Sequence, residues 1–288
     1  MKKLFYILSI VMFSVSVFLH GCSSQQNLPS INYSESKNYD YGQVVWRDLV
    51  TPDPKLAADF YLRVFGWTSQ QVGSKDHPYW LFKSNGKPVG GMYLLSEGKK
   101  GAGGEWVQYY SVNSLEDVIK SSKKAGGQMI IEPVDIPGRG NVALMSDPQK
   151  AYFALIKSST GDPSVAEPLE FEFLWNELWS NDVEKSGDFY KSIFNSQLEV
   201  KKDDDRNYTI IMNNNKPSSG IIKNPVENVR SNWVQYVRVS DVKSIEQKAR
   251  DAGAYILIPS DSTIRNGTVS VFTDPTGAPI AIQKWPIE

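Results

Sequence analysis

Apolar and polar residues alternate through VVWRDLV, beginning at Val44, and the run is rich in β-branched side chains, as a half-buried strand requires. Asp53-Pro54 follows as a helix-opening pair, and Leu56, Phe60, Val64 and Phe65 then recur at helical spacing. Gly, Pro and Asn punctuate the next stretch into three short strands, near residues 67–72, 78–84 and 88–95. WVQYYSV, from Trp106, begins another strand, and a helix and three strands ending at FALIK complete the same plan. The predicted unit is β-α-β-β-β, used twice by residue 158.

The plan then returns in register. Trp46-Arg47-Asp48-Leu49 before DPKLAADFYLRVFGW reappears as Trp175-Asn176-Glu177-Leu178 before DVEKSGDFYKSIFNS. WVQYYSV reappears as WVQYVRV from Trp233, Gly91 as Gly220, and Asp147-Pro148 as Asp274-Pro275, at offsets between 126 and 129 residues. A repeat of that length is a whole domain, not a solenoid unit. The sequence divides into a first module over 42–158, a linker over 159–167 and a second module over 168–288. Each module comprises two β-α-β-β-β units. Pairs of such units form an α+β fold, an open, trough-like mixed sheet with helices outside and a cleft within.

The segment before residue 42 follows other rules. Met1-Lys2-Lys3 precedes sixteen uncharged residues, Leu4 to Leu19, and then His20-Gly21-Cys22. A basic start, a short apolar run and a small residue before a cleavage point describe a secretory signal over 1–21. Leu19-His20-Gly21-Cys22 resembles the bacterial lipobox, which implies lipid on Cys22, the only cysteine in the chain. The resemblance further implies an exported, lipid-anchored protein. Ser23-Ser24 in place of an Asp favours the outer membrane, facing the periplasm, in a Gram-negative cell; otherwise the anchor is at the outer face of the cell membrane. Residues 22–41 read as a polar tether. Without 1–21 the chain carries 29 basic and 32 acidic residues, and no basic stripe with interleaved aromatics points to nucleic acid.

The strand–Asp–helix openings, DFY…FGW at 59–67, the helix ends AGG at 125 and AGA at 252, and DPTGA at 274–278 resemble the vicinal oxygen chelate superfamily, the glyoxalase I, bleomycin-resistance and extradiol dioxygenase-like fold. The resemblance implies a divalent metal held in the trough by His, Gln or Glu. The places where those ligands would stand hold Trp46 and Trp175, Val107 and Val234 (or Trp106 and Trp233), and Ala154 and Ala281. None offers a lone pair to such an ion, and beyond His20 the chain has only His77. No metal and no other cofactor is expected.

Strand alternation then places Trp46 with Asp48, Trp175 with Glu177, Val107 with Tyr109 and Val234 with Tyr236 on trough faces. Trp46, Asp48, Tyr109, Trp175, Glu177 and Tyr236 are the expected ligand-binding set for a small organic molecule. Arg139 and Arg265 occupy corresponding loops at the trough mouth, where either an arginine meeting an anionic ligand or, as the blander expectation, a solvated one fits. Lys150 stands where the second module has Gly277, a turn position that favours positive φ. Two functional classes fit these residues. One is a metal-free binding or interaction protein, with Asp48 and Glu177 as structural acceptors. The other is a metal-independent lyase or isomerase in which Asp48 or Glu177 is the catalytic base and a tyrosine the donor.

Overall fold

A computed structural model describes residues 27–33, 36–95, 103–164, 167–203, 206–261, 263 and 265–286. The apolar leader and Cys22 lie outside the described residues. The first module runs β1 (Val44–Thr51), α1 (Pro54–Phe65), β2 (Thr68–Gln71), β3 (Tyr79–Ser84), β4 (Lys87–Leu94), β5 (Glu105–Ser111), α2 (Leu115–Lys124), β6 (Gln128–Ile136), β7 (Gly140–Ser146) and β8 (Tyr152–Ser158). The second repeats it as β9 (Phe173–Ser180), α3 (Val183–Phe194), β10 (Gln197–Asp203), β11 (Arg206–Asn213), β12 (Lys216–Lys223), β13 (Asn232–Val239), α4 (Val242–Asp251), β14 (Tyr255–Ile258), β15 (Val269–Thr273) and β16 (Pro279–Lys284).

Local chemistry sets the helix ends. Asp53, Ser114, Asp182 and Asp241 each accept the backbone N–H three residues on, satisfying a donor that the helix itself leaves free. Gly66 closes α1 at φ 70°, in the left-handed region. The strands form two eight-stranded open sheets with one shared order, β2-β3-β4-β1-β5-β8-β7-β6 and its counterpart β10-β11-β12-β9-β13-β16-β15-β14. In each, the two units meet at an antiparallel central pair, β1 with β5 and β9 with β13.

The doubled WVQY strand lies at the junction of everything else. Gln108 and Gln235, both fully buried, hydrogen-bond to each other between the sheets at 3.2 Å. Trp106 and Trp233 point into two different cores, while Tyr109 and Tyr236 point into the two troughs.

Those cores do not follow the module boundary. One combines α1, Leu49, Trp67, Phe82 and Trp106 of the first module with α4, Val237, Phe272 and Ile280 of the second. The other combines α2, Tyr110, Phe153 and Leu155 with α3, Ile211, Ile221 and Trp233. The helices therefore lie outside each trough, as expected, but between the two sheets. Phe60, Val64 and Phe65 fill the first of these cores as their helical spacing predicts, joined by Tyr61 and Trp67, while Leu56 of the same spacing is exposed; Phe189 and Tyr190 fill the second.

Polar bonds repeat the exchange: Tyr61 donates to Asp274 at 3.0 Å, and Tyr190 to Asp147 at 3.3 Å. Lys150 does adopt φ 69° where Gly277 adopts 98°.

Within the polar tether expected over 22–41, the described residues 27–33 and 36–41 pack against the fold. Leu28, Ile31 and Asn32 are buried, and Leu28 and Ile31 join the apolar cluster lining the first trough. The Leu28 N–H donates to Pro137 O at 3.0 Å. Farther on, Lys37 N–H donates to Thr160 O, Asp162 N–H to Asn38 O and Asp40 N–H to Asp162 Oδ2, lacing the segment to the start of the linker. The composition is polar because one face of this strap meets water. Its few apolar residues are the ones that anchor it.

Candidate functional site

Pairing across the central strands assembles the first trough. Trp46 lies opposite Tyr109 and Asp48 opposite Val107, with Tyr109 next to Ala154 on β8. Asp48 Oδ1 accepts from Trp46 Nε1 at 2.9 Å and from Tyr79 Oη at 2.7 Å. Arg139 then closes the group. Its Nη1 donates to Tyr79 Oη at 2.9 Å and stands 3.7 Å from Asp48 Oδ2, and its guanidinium lies over the Trp46 and Tyr79 rings at 5.0 Å. Both charged side chains are only 1% exposed. The expected solvated arginine is in fact a buried one, covered by the strap.

The second trough repeats the arrangement with Trp175, Glu177, Tyr208, Tyr236 and Arg265. Trp175 pairs with Tyr236, and Glu177 with Val234. Glu177 Oε1 accepts from Tyr236 Oη at 2.6 Å and Trp179 Nε1 at 3.1 Å, while Oε2 accepts from Arg265 Nη2 at 3.0 Å. Trp175 Nε1 donates to Tyr208 Oη at 2.7 Å. Here Arg265 is 27% exposed over a fully buried Glu177, and Trp175 and Tyr208 are half-buried. Their counterparts Trp46 and Tyr79 are buried.

Electrostatics divides the roles. Burial pushes the Tyr79, Tyr109 and Tyr236 hydroxyls well above the usual tyrosine range, and the nearby carboxylates add to it. They stay protonated and serve as hydrogen-bond donors. Burial alone would lower Arg139 and Arg265, but the neighbouring carboxylate and tyrosines outweigh it, and both are raised. Glu177 receives three donors, one of them a guanidinium, on its two oxygens. Those three bonds occupy most of the carboxylate's acceptor sites.

Residues 173–282 match the model of the Glyoxalase/Bleomycin resistance protein/Dioxygenase superfamily. The second module is a domain of that superfamily. The first shares its sheet order and helix placement, so the chain carries two tandem glyoxalase-like modules. The anthracycline biosynthesis protein DauV of Streptomyces sp. strain C5 is 29% identical over 52% of this chain. CFP32 of Mycobacterium bovis, named as a candidate glyoxylase, is 35% identical over 40% of this chain. The matched stretches span 60% of DauV and 44% of CFP32, so the chain spans about half the length of these relatives. Among solved structures, the Mn(II)-bound glyoxalase of Novosphingobium aromaticivorans aligns at TM-score 0.57 and 15% identity, over 85% of this chain and 82% of its own. A catechol 2,3-dioxygenase aligns at 0.53 and 13%, over 85% and 88%. At these identities the likeness concerns the fold alone.

The glyoxalase-like fold raises the question of a metal, and the side chains present do not fit one. Val107 and Ala154 line the first trough with Trp46, and Val234 and Ala281 line the second with Trp175, offering carbon and indole where lone pairs would be needed. The trough carboxylates, Asp48 and Glu177, face guanidinium groups that a divalent cation would have to approach. Among the described residues no three His, Cys, Asp or Glu side chains group as ligands.

The six expected trough residues converge as two sets of three. Tyr79 and Tyr208 complete the sets and escaped the sequence reading, because strand β3 and its counterpart share little spelling. Their signal was indirect: Gly91 and Gly220 recur opposite Asp48 and Glu177. A Cβ there would come within 1.7 Å of Tyr79 Oη and 2.1 Å of Tyr208 Oη.

Proposed function

We propose that this chain is a metal-free binding protein in which the second module's trough takes a small organic ligand. The first module's trough, on this reading, is a closed copy. The observation that carries the reading is the contrast between the two equivalent sites. Leu28 and Ile31 fill the first and bury Arg139, Trp46 and Tyr79, whereas Trp175, Tyr208 and Arg265 line the second and remain partly exposed. Aromatic walls, a half-buried arginine and a satisfied carboxylate suit recognition of an apolar molecule with one polar group. Anchoring through lipid on Cys22 belongs to the same reading and places the binding module at a membrane surface.

The test is a binding screen on the full chain in detergent, with chelator present. Two relatives are named for anthracycline biosynthesis, so polycyclic aromatic carbonyl compounds belong in the first panel. Saturable binding at one site per chain, unchanged by chelator, is the expected result. Binding that needs added Mn²⁺ or Zn²⁺ would overturn the metal-free reading. Turnover that survives chelator and is lost in Glu177→Gln would replace binding with the lyase or isomerase class.

A further inference from the structure

The first module carries its own occupant, and that occupant has a definite chemistry. Arg139 directs Nε and Nη2 at the backbone carbonyl of Pro29, both at 3.4 Å, while Nη1 is turned to Tyr79 and Asp48. Leu28 and Ile31 flank that carbonyl and lie in the cluster built from Trp46, Tyr79, Tyr109 and Ala154. The strap therefore presents one uncharged carbonyl between two branched aliphatic groups. In the second module Arg265 makes the equivalent inner bond, Nη2 to Glu177, and among the described residues its Nε and Nη1 donate to no protein acceptor. Among the described residues, the cluster of Trp179, Val234, Tyr236, Val271 and Ala281 receives no residue from the strap, and Val226, Leu257 and Ile258, which pack against it, stay partly exposed.

We infer that the second trough binds a neutral carbonyl compound, an amide or ester bearing a branched apolar group beside the carbonyl. Its oxygen accepts from the outer edge of Arg265 and its apolar group lies on Trp175 and Tyr208. The inference rests on the proposed binding role of this module and adds the ligand's chemical class. Charge selects the neutral form. Glu177 and Arg265 already cancel, so a carboxylate would bring an unbalanced negative charge to a largely desolvated wall, whereas an amide brings none. The first module shows the same balance: Asp48 and Arg139 cancel, and the strap adds a carbonyl with no charge.

The probe is N-acetyl-leucyl-prolinamide, the strap's own Leu28–Pro29 unit, titrated calorimetrically into the full chain in detergent. Its free-acid analogue, N-acetyl-leucyl-proline, is run beside it. Saturable one-to-one binding of the amide, at least tenfold tighter than the acid, is expected. Arg265→Lys keeps a cation beside Glu177 but removes the forked outer edge, and it should weaken amide binding at least tenfold. Hydrogen exchange on the unaltered chain provides an independent readout: the amide should protect residues 265–268 and 173–180. Equal or tighter binding of the acid overturns the inference, as does protection confined to the first module. If neither probe binds while a compound from the screen protects residues 265–268, the chemical class is wrong and the binding role stands. If nothing protects the second trough, both fail.

Discussion

Gly91 and Gly220 show how much of the site depends on a missing atom. Each lies beside the trough carboxylate and leaves the space that a tyrosine ring tip occupies. The two substitutions to alanine have unequal consequences. Tyr79 is fully buried and tied to Asp48, Trp46 and Arg139, so it cannot move aside. Tyr208 is half-buried and its hydroxyl is held by the half-buried Trp175, so its surroundings enclose it less than those of Tyr79. Overpacking of a fixed site costs roughly 1–3 kcal/mol, to which lost buried hydrogen bonds add. Urea unfolding should show Gly91→Ala lowering stability by about 3 kcal/mol and Gly220→Ala by about 1 kcal/mol. Equal losses would mean that both troughs are equally closed, against the contrast on which the proposed binding site rests.

One buried carboxylate organises the turn between β7 and β8. Asp147 Oδ1 accepts the N–H groups of Gln149 and Ala151, both at 2.8 Å, and Oδ2 accepts from Tyr190 of the other module. Burial raises its pKa to about 6, with the hydrogen bonds pulling partly back. The folded chain therefore holds this proton more tightly than the unfolded chain, whose aspartate titrates near 3.8. The sign follows from linkage. The group's contribution is fully present below the unfolded value and is lost as pH rises through about 6. Two pKa units correspond to about 3 kcal/mol as an upper figure. Asp147→Asn, isosteric and neutral, should flatten the stability-versus-pH curve between about pH 4 and 6. An unchanged slope in that window would assign it to other buried acids, such as Asp274, which burial also raises.

At the scale of the molecule, neither module has a helical core of its own. Burying one large apolar side chain is worth roughly 1.5–3 kcal/mol, and each shared core holds many from both halves. Separating the modules would expose both cores at once, so the two troughs are held at a fixed separation and the chain acts as one body. The strap adds an orientation. Cys22 precedes Leu28 by six residues, which span at most about 20 Å when extended. A lipid on Cys22 would hold the mouth of the first trough close to the membrane, where a free twenty-residue tether would leave it far from the surface. Mass spectrometry of the membrane-purified chain should find Cys22 as the first residue, carrying thioether-linked diacylglycerol. An intact leader, or cleavage elsewhere, would remove the anchor from the account.

Hydrophobic spacing and the internal repeat determined the β-α-β-β-β units and their fourfold use, because alternation and helical spacing are local properties of the chain. Which face of β1, β5, β9 and β13 meets a trough was implied by the resemblance to the superfamily. That resemblance also implied the places where metal ligands would stand and where carbon replaces them, and alternation from those places then marked Asp48 and Glu177 with their tryptophans and tyrosines. Three things had to wait for tertiary structure. Tyr79 and Tyr208 reach their carboxylates across 31 residues, through space that only a glycine on the adjacent strand leaves open. The strap's burial depends on a few apolar residues within a polar segment, too few to register as a pattern, meeting a surface built from distant strands. The pairing of each half-module with the other module's half is set by which apolar faces meet when four helices pack between two sheets. Each of these depends on contacts between residues far apart in the chain, and local hydrophobic spacing carries no record of them.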